Sequence, residues 1–150
     1  MTGAAETLES IRELTYRCGF YSDTKQWTSL PHLFAEDAVI DETALGFPLL
    51  TGKAQITAFF AADKAILDFG VHYVTNHFLT EVGETHAAGV NHLLMEGRLR
   101  DGTRLKVVGY FEDSYVRVVG KWLFRSRKLT TFTAPEGFDR VSALIRSGQT

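Results

Sequence analysis

The hydrophobic period of the chain switches once, near residue 70, and that switch restricts the folds open to it. Up to that point apolar residues recur at helical spacing: Leu8, Ile11, Leu14 and Cys18 form one buried stripe, which predicts a helix from about residue 5 to 20. From Val71 onward four long runs alternate at period two, separated by turn signals at Gly83-Glu84, Asp101-Gly102 and Val119-Gly120, which predicts a meander of hairpins. Runs of about 14 residues exceed the usual strand length, so the sheet should be strongly curved and bulged. Helices first and an antiparallel sheet afterwards give an α+β class, with the helices packed into the concavity of the sheet. A chain of 150 residues without repeats or linkers is read as one domain over 1-150, with a core of about 8-134. The tail beyond Pro135 either forms one terminal helix or frays.

Between these halves, Asp23-Thr24-Lys25-Gln26 has the form of a capping box, predicting a short second helix with Trp27, Leu30 and Leu33 and giving Asp23 a plain reading as an N-cap. "DAVIDET" reads as a strand and Gly46 to Gly52 as a loop. Thr51 can cap a third helix whose Ile56, Phe59, Phe60, Asp63, Ile66 and Leu67 fall mostly on one apolar face.

A net charge of -2 gives no electrostatic reason to expect nucleic acid or a membrane surface, so a small hydrophobic molecule is the expected partner. The single cysteine, Cys18, leaves no intramolecular disulfide and favours a reducing, cytoplasmic setting. No run approaches the roughly 18 apolar residues of a membrane span, and the start lacks the basic and apolar regions of a secretory signal.

Strict alternation in the sheet puts Leu93, Met95, Val107, Gly109, Phe111, Leu129 and Thr131 on one face: large apolar groups, a glycine that leaves space and a hydroxyl, as in a ligand pocket. Cys18 and Ile40 from the helical half complete the predicted lining. The other face carries Val90, His92, Leu94, Val108, Tyr110, Trp122 and Phe124 among charged residues. It is too apolar for simple exposure, so a homodimer or higher homo-oligomer is expected there, the alternative being cover by the C-terminal tail.

In "VHYVTNH", residues 71-77, alternation assigns His72, Val74 and Asn76 to one face and Tyr73, Thr75 and His77 to the other. The two histidines can then share a metal only if a bulge intervenes, and no metal-ligand spacing occurs elsewhere, so no metal and no cofactor are expected. Serine-hydrolase, P-loop and dinucleotide fingerprints are absent. What remains is acid–base chemistry. Arg127 shares the apolar face with Leu129 and Thr131, where a guanidinium needs an anionic or strongly accepting partner.

Three stretches in order, "YSDTKQWTSLPHLFAEDAVID", "HYVTNH" and "GYFEDSYVRVVGKWLFRSR", resemble the SnoaL-like branch of the NTF2-like superfamily over about residues 8 to 134. The resemblance implies a cone in which a curved antiparallel sheet wraps around N-terminal helices. Within that superfamily the pattern is similar to the group of scytalone dehydratase, hexachlorocyclohexane dehydrochlorinase and bile-acid dehydratases. In that group an aspartate after the first helix orients a histidine that removes a proton from carbon. Asp23 matches the aspartate, His72 rather than His77 matches the histidine, and Arg127 stands where the dehydrochlorinase carries a pocket arginine. Gly97 and Cys18 depart from the pattern, since relatives carry a second histidine and a lysine or tyrosine there. A second acid from those positions is missing.

His72, Asp23 and Arg127 are therefore the candidate catalytic residues, with His72 as base, Asp23 fixing its tautomer and Arg127 stabilising developing negative charge. The expected function is a cofactor-free lyase (dehydratase-like) or isomerase acting on a small hydrophobic cyclic substrate. A polyketide-cyclase-like enzyme and a non-catalytic binding or assembly module, like the β subunit of ring-hydroxylating dioxygenases, are the alternatives.

Overall fold

The structure, a computed structural model, describes residues 3-148. Helix α1 (Ala4–Asp23) is followed by a 3-10 turn (Leu30–Leu33), strand β1 (Phe34–Asp41), a second 3-10 turn (Thr43–Leu45), the two-residue strand β2 (Leu50–Thr51) and helix α2 (Lys53–Ile66). Four long strands come next, β3 (Leu67–Val82), β4 (His86–Leu99), β5 (Arg104–Val118) and β6 (Lys121–Thr131), and helix α3 (Phe138–Ser147) ends the order. The strands make one six-stranded sheet, β2-β1-β6-β5-β4-β3, antiparallel except where β1 joins β6 in parallel. The period switch near residue 70 thus marks the real boundary, and the α+β architecture follows the hydrophobic pattern.

The N-terminal stripe does what its spacing requires. Thr7, Ile11, Leu14, Thr15 and Cys18 are the buried residues of α1, and the helix packs along β3. Ile11, Leu30, Phe34, Tyr115 and Phe124 form the centre of one core cluster. They are among the most completely buried side chains, so truncating one of the aromatics should cost about 3–5 kcal/mol. A second cluster joins Leu67, Leu93, Leu99 and Val107 of the sheet to Phe138, Val141 and Leu144 of α3. The tail is therefore a helix packed on the inner side, with Ser142 Oγ donating to the carbonyl of Gly46 at 3.3 Å. Its described part does not cover the outer sheet face.

Two bulges alter the predicted faces. On β3, Thr75 pairs with His92 and Phe78 with Val90, so two residues oppose one, and Asn76 takes a positive φ of 53°. The extra residue turns His77 inward, to the same side as His72, where it is 5% exposed. Between β5 and β6, Tyr115 pairs with Phe124 and Ser114 with Ser126, leaving Arg125 as the extra residue. Trp122 and Phe124, expected outside, are therefore buried in the core, while Arg127 and Leu129 keep their inward direction.

The capping box is a further correction. Helix α1 continues to Asp23, and the following turn is closed by Thr24, whose N–H and Oγ1 both donate to the carbonyl of Phe20. Lys25 has φ 58°, and its ammonium donates to the carbonyls of Leu67 and Asp68 at 3.2 and 2.7 Å, tying the end of α1 to the start of β3. Asp23 caps no helix; its carboxylate is used elsewhere.

Candidate active site

Helix α1 crosses β3 at His72. Gly19 lies against that residue: a methyl group on Gly19 would come to 3.4 Å from His72 Cβ. Asp23 is one turn further on the same helix face, and its carboxylate reaches β3 in two ways. It accepts the backbone N–H of His72 on both oxygens, at 3.1 and 3.0 Å, and Oδ1 stands 2.6 Å from the ring Nδ1. Because a carboxylate can only accept, Nδ1 carries the proton, and in the neutral ring the lone pair is then on Nε2. The dyad is half-buried, with side-chain exposures of 28% for His72 and 19% for Asp23.

His72 lines a cavity of about 120 Å³ between the helices and the sheet. Of the residues predicted to line it, Cys18, Ile40, Leu93, Met95, Val107, Phe111 and Leu129 do so. Gly109 and Thr131 are corrections: neither belongs to the cavity wall. Gly109 opens no space, since a Cβ there would collide with the carbonyl oxygen of Thr130 on the adjacent strand. Its small size serves close strand approach. Helix α3 closes part of the wall with Phe138 and Val141.

Arg127 also lines the cavity, but its partner is within the chain. Nε and Nη2 donate to the two oxygens of Asp113 at 2.8 and 3.1 Å, in the forked geometry that suits a guanidinium. Its Cζ lies over two rings, 3.9 Å from the centre of Phe111 and 4.4 Å from that of Phe124, so both aromatic faces stabilise the cation. Nη1 reaches only Cys18 Sγ, at 3.5 Å. Asn91 Nδ2 and Tyr115 OH donate to the same Asp113 carboxylate at 2.7 and 3.2 Å, and Tyr115 OH lies 3.3 Å from His77 Nε2. His77 therefore belongs to a structural network, and burial holds its pKa down. Burial also pushes the Cys18 thiol up to about 11, which keeps it neutral and a poor nucleophile.

Asp113 and Asn91 were missed at the sequence level, although both occupy odd-numbered, inward positions of their strands. Also missed were two cavity-lining carboxyls, Glu42 and Asp63. Burial raises the pKa of both, against the nearby positive charges of Arg127 and His72 at Glu42 and of His72 and Lys25 at Asp63, which reaches about 6. Trp27 lines the cavity as well, and its buried Nε1 has no hydrogen-bond partner among the described residues. Among the described residues no three histidine, cysteine or acidic side chains are grouped as a metal ion would require, and no helix is long and apolar enough to cross a membrane.

Residues 3–128 match the family model of the SnoaL-like domain. The chain belongs to the SnoaL-like family. Solved structures with the same NTF2-like fold include a candidate aromatic ring hydroxylase from Novosphingobium aromaticivorans, with 23% identity over 90% of this chain and 95% of that one and a TM-score of 0.85. A candidate scytalone dehydratase from the same organism shares 23% identity over 85% of both chains, with a TM-score of 0.78. The type 2 hexachlorocyclohexane dehydrochlorinase LinA shares 20% identity over 83% of this chain and 84% of that one, with a TM-score of 0.74. No curated relative matches the sequence. At 20–23% identity these neighbours share the fold of the SnoaL-like domain.

Proposed function

We propose that this SnoaL-like protein is a cofactor-free lyase or isomerase in which His72 removes a carbon-bound proton from a small, hydrophobic, cyclic substrate. The observation that carries this reading is the 2.6 Å contact of Asp23 with His72 Nδ1 on a ring that also lines the cavity. Asp23 fixes the tautomer that presents Nε2 as a base, and it stabilises the imidazolium as it forms. That interaction strengthens in the transition state, so it accelerates the step rather than only holding the ring. The wall is mostly apolar, which suits a hydrocarbon ring and excludes water from the charged intermediate.

Arg127 contributes less than a free guanidinium would, since Asp113 already matches its charge. Its Nη1, beside Cys18, is the donor left for a substrate oxygen. The test is hydrogen exchange: cyclic ketones such as 2-tetralone and cyclohexenone are incubated with the protein in D2O, and loss of the proton next to the carbonyl is followed by NMR. Exchange by the wild type that disappears in His72→Ala supports the base. Exchange at equal rate in both proteins refutes it and favours a binding module whose cavity does no chemistry.

A further inference from the structure

We infer that Asp63 is the proton donor of this site, so that the base His72 and the acid Asp63 together eliminate an oxygen leaving group as water. The inference rests on the proposed role of His72 and adds the half of the reaction that His72 cannot perform. Gly97 and Cys18 supply no acid, whereas α2 does.

The placement of Asp63 is unusual for a carboxyl. It projects from the apolar face of α2 that also carries Ile56, Phe59, Phe60 and Ile66, and with Phe59, Phe60 and His72 it lines the cavity. It makes no hydrogen bond or ion pair with any described residue: Lys25 spends its ammonium on the carbonyls of Leu67 and Asp68, and Arg98 is taken by Asp68. A structural carboxylate in such surroundings would have a cation against it. His72 and Lys25 favour its ionisation and burial outweighs them, so its titration midpoint lies at about 6; the Glu42 carboxyl of the same cavity is the further titratable group that acts on it. Glu42 is the other carboxyl of the wall and is also raised by burial; it feels Arg127 first, then His72 and Asp63. Two carboxyls and a neutralised arginine make the interior unsuited to an anionic substrate, which points to a neutral, hydroxylated ring.

The step balances without a further reagent. His72 Nε2 takes the proton from the carbon next to an activating carbonyl, and the released electron pair forms the carbon–carbon double bond. The adjacent C–O bond breaks with its electrons on oxygen, and Asp63 gives its proton to that oxygen, so that water departs. Imidazolium and carboxylate remain, and proton return from His72 to Asp63 through water restores both. Hydroxide leaves poorly without such a proton, while acetate or halide needs none. An acid in the cavity therefore selects for alcohols.

The experiment uses the full chain with two probes that give the same product, 3-hydroxycyclohexanone and 3-acetoxycyclohexanone, together with an infrared titration of the carboxyl groups. The expected result for Asp63→Asn is a loss of about 100-fold or more on the hydroxy ketone and of less than about fivefold on the acetoxy ketone, with disappearance of a carboxyl that titrates near 6. His72→Ala loses both probes. Equal losses on the two probes, a Glu42→Gln variant that shows the selective loss in place of Asp63→Asn, or an Asp63 that titrates like an ordinary carboxyl would each overturn the assignment while leaving the base intact. A wild type inert towards both probes and without proton exchange overturns the underlying reading as well.

Discussion

Asp23 holds His72 twice, once through the backbone N–H and once through the ring. One carboxylate oxygen serves both contacts, at 3.1 Å to the amide and 2.6 Å to Nδ1. A side chain that both anchors the strand and orients the ring allows the two roles to be separated by substitution. In Asp23→Asn the amide oxygen still accepts from the backbone of residue 72, but it can no longer balance an imidazolium. The expected outcome is a kcat lower by about 10³ or more with KM little changed, and a Tm within a few degrees of wild type. His72→Ala should match it in kcat, and a comparable loss of Tm and activity together would make the pair structural.

The Arg127–Asp113 pair predicts the opposite signature. Both side chains are nearly inaccessible, 8% and 0% exposed, and removing one partner leaves the other charge buried with no counter-ion. Arg127→Met or Asp113→Asn should cost about 3–5 kcal/mol, a fall in Tm of roughly 10 °C. Arg127→Lys keeps the charge but not the fork, so it should fall well below wild type too. Thermal unfolding followed by circular dichroism measures this, and a wild-type Tm in Arg127→Lys would show that the forked geometry contributes nothing.

These two pairs also show what the sequence could reveal. The α1 stripe, the period switch and the three hairpin turns depend on local chemistry, and they were legible. The bulges were not, because an extra residue in a strand is fixed by the register of its neighbours. Asn76 and Arg125 carry no local sign of it, and so His77, Trp122 and Phe124 were assigned to the wrong face. Asp113 had a usable signal: it shares parity with Phe111, and Arg127 required an anion on that face. Asp63 had one as well, being the lone acid on an apolar helix stripe. Asp23 was readable as chemistry only by resemblance, since its local sequence imitates a cap.

Val119 offers a test of backbone strain away from the site. It forms the turn between β5 and β6 with Gly120, both at positive φ, 48° and 77°, and its side chain is 98% exposed. A β-branched residue is poorly suited to that region, where asparagine and glycine are preferred. Val119→Asn should stabilise by about 1 kcal/mol, a rise in Tm of roughly 3 °C, with activity unchanged. An unchanged or lower Tm would mean that the turn carries no such strain.

The outer sheet face keeps large apolar groups in solvent, among them Tyr73, Phe78, Leu94 and Phe132, each more than a third exposed. Phe132 packs its ring on Tyr110 and His92, with centroids 5.5 and 5.7 Å away. We propose that two copies of the chain bury this patch against each other, as apolar patches of this kind commonly do. Light scattering should give about twice the mass of 16.8 kDa, and Leu94→Glu should reduce it to a monomer. A wild-type monomer at micromolar concentration excludes the interface.

Asp63 links the chemistry to stability through pH. Its pKa is 3.8 in an ordinary setting and about 6 in the fold, so the folded protein binds the proton more tightly than the unfolded chain does. Below about pH 3 both forms are protonated and the carboxyl costs nothing. As pH rises from about 4 to 6 the unfolded chain ionises first, and stability is lost, by up to roughly 3 kcal/mol at about 1.4 kcal/mol per pH unit. Asp63→Asn removes that loss. Its Tm should exceed that of wild type at pH 7.5, with the difference shrinking as pH falls and vanishing near about pH 3. Elimination of an alcohol by the wild type should decline as pH rises through about 6, where the proton to be donated is lost. A variant that is more stable at neutral pH and inactive is the expected mark of a carboxyl kept in an apolar cavity for chemistry. Equal stability of the two proteins from pH 4 to 8 would show that Asp63 is solvated like any surface acid.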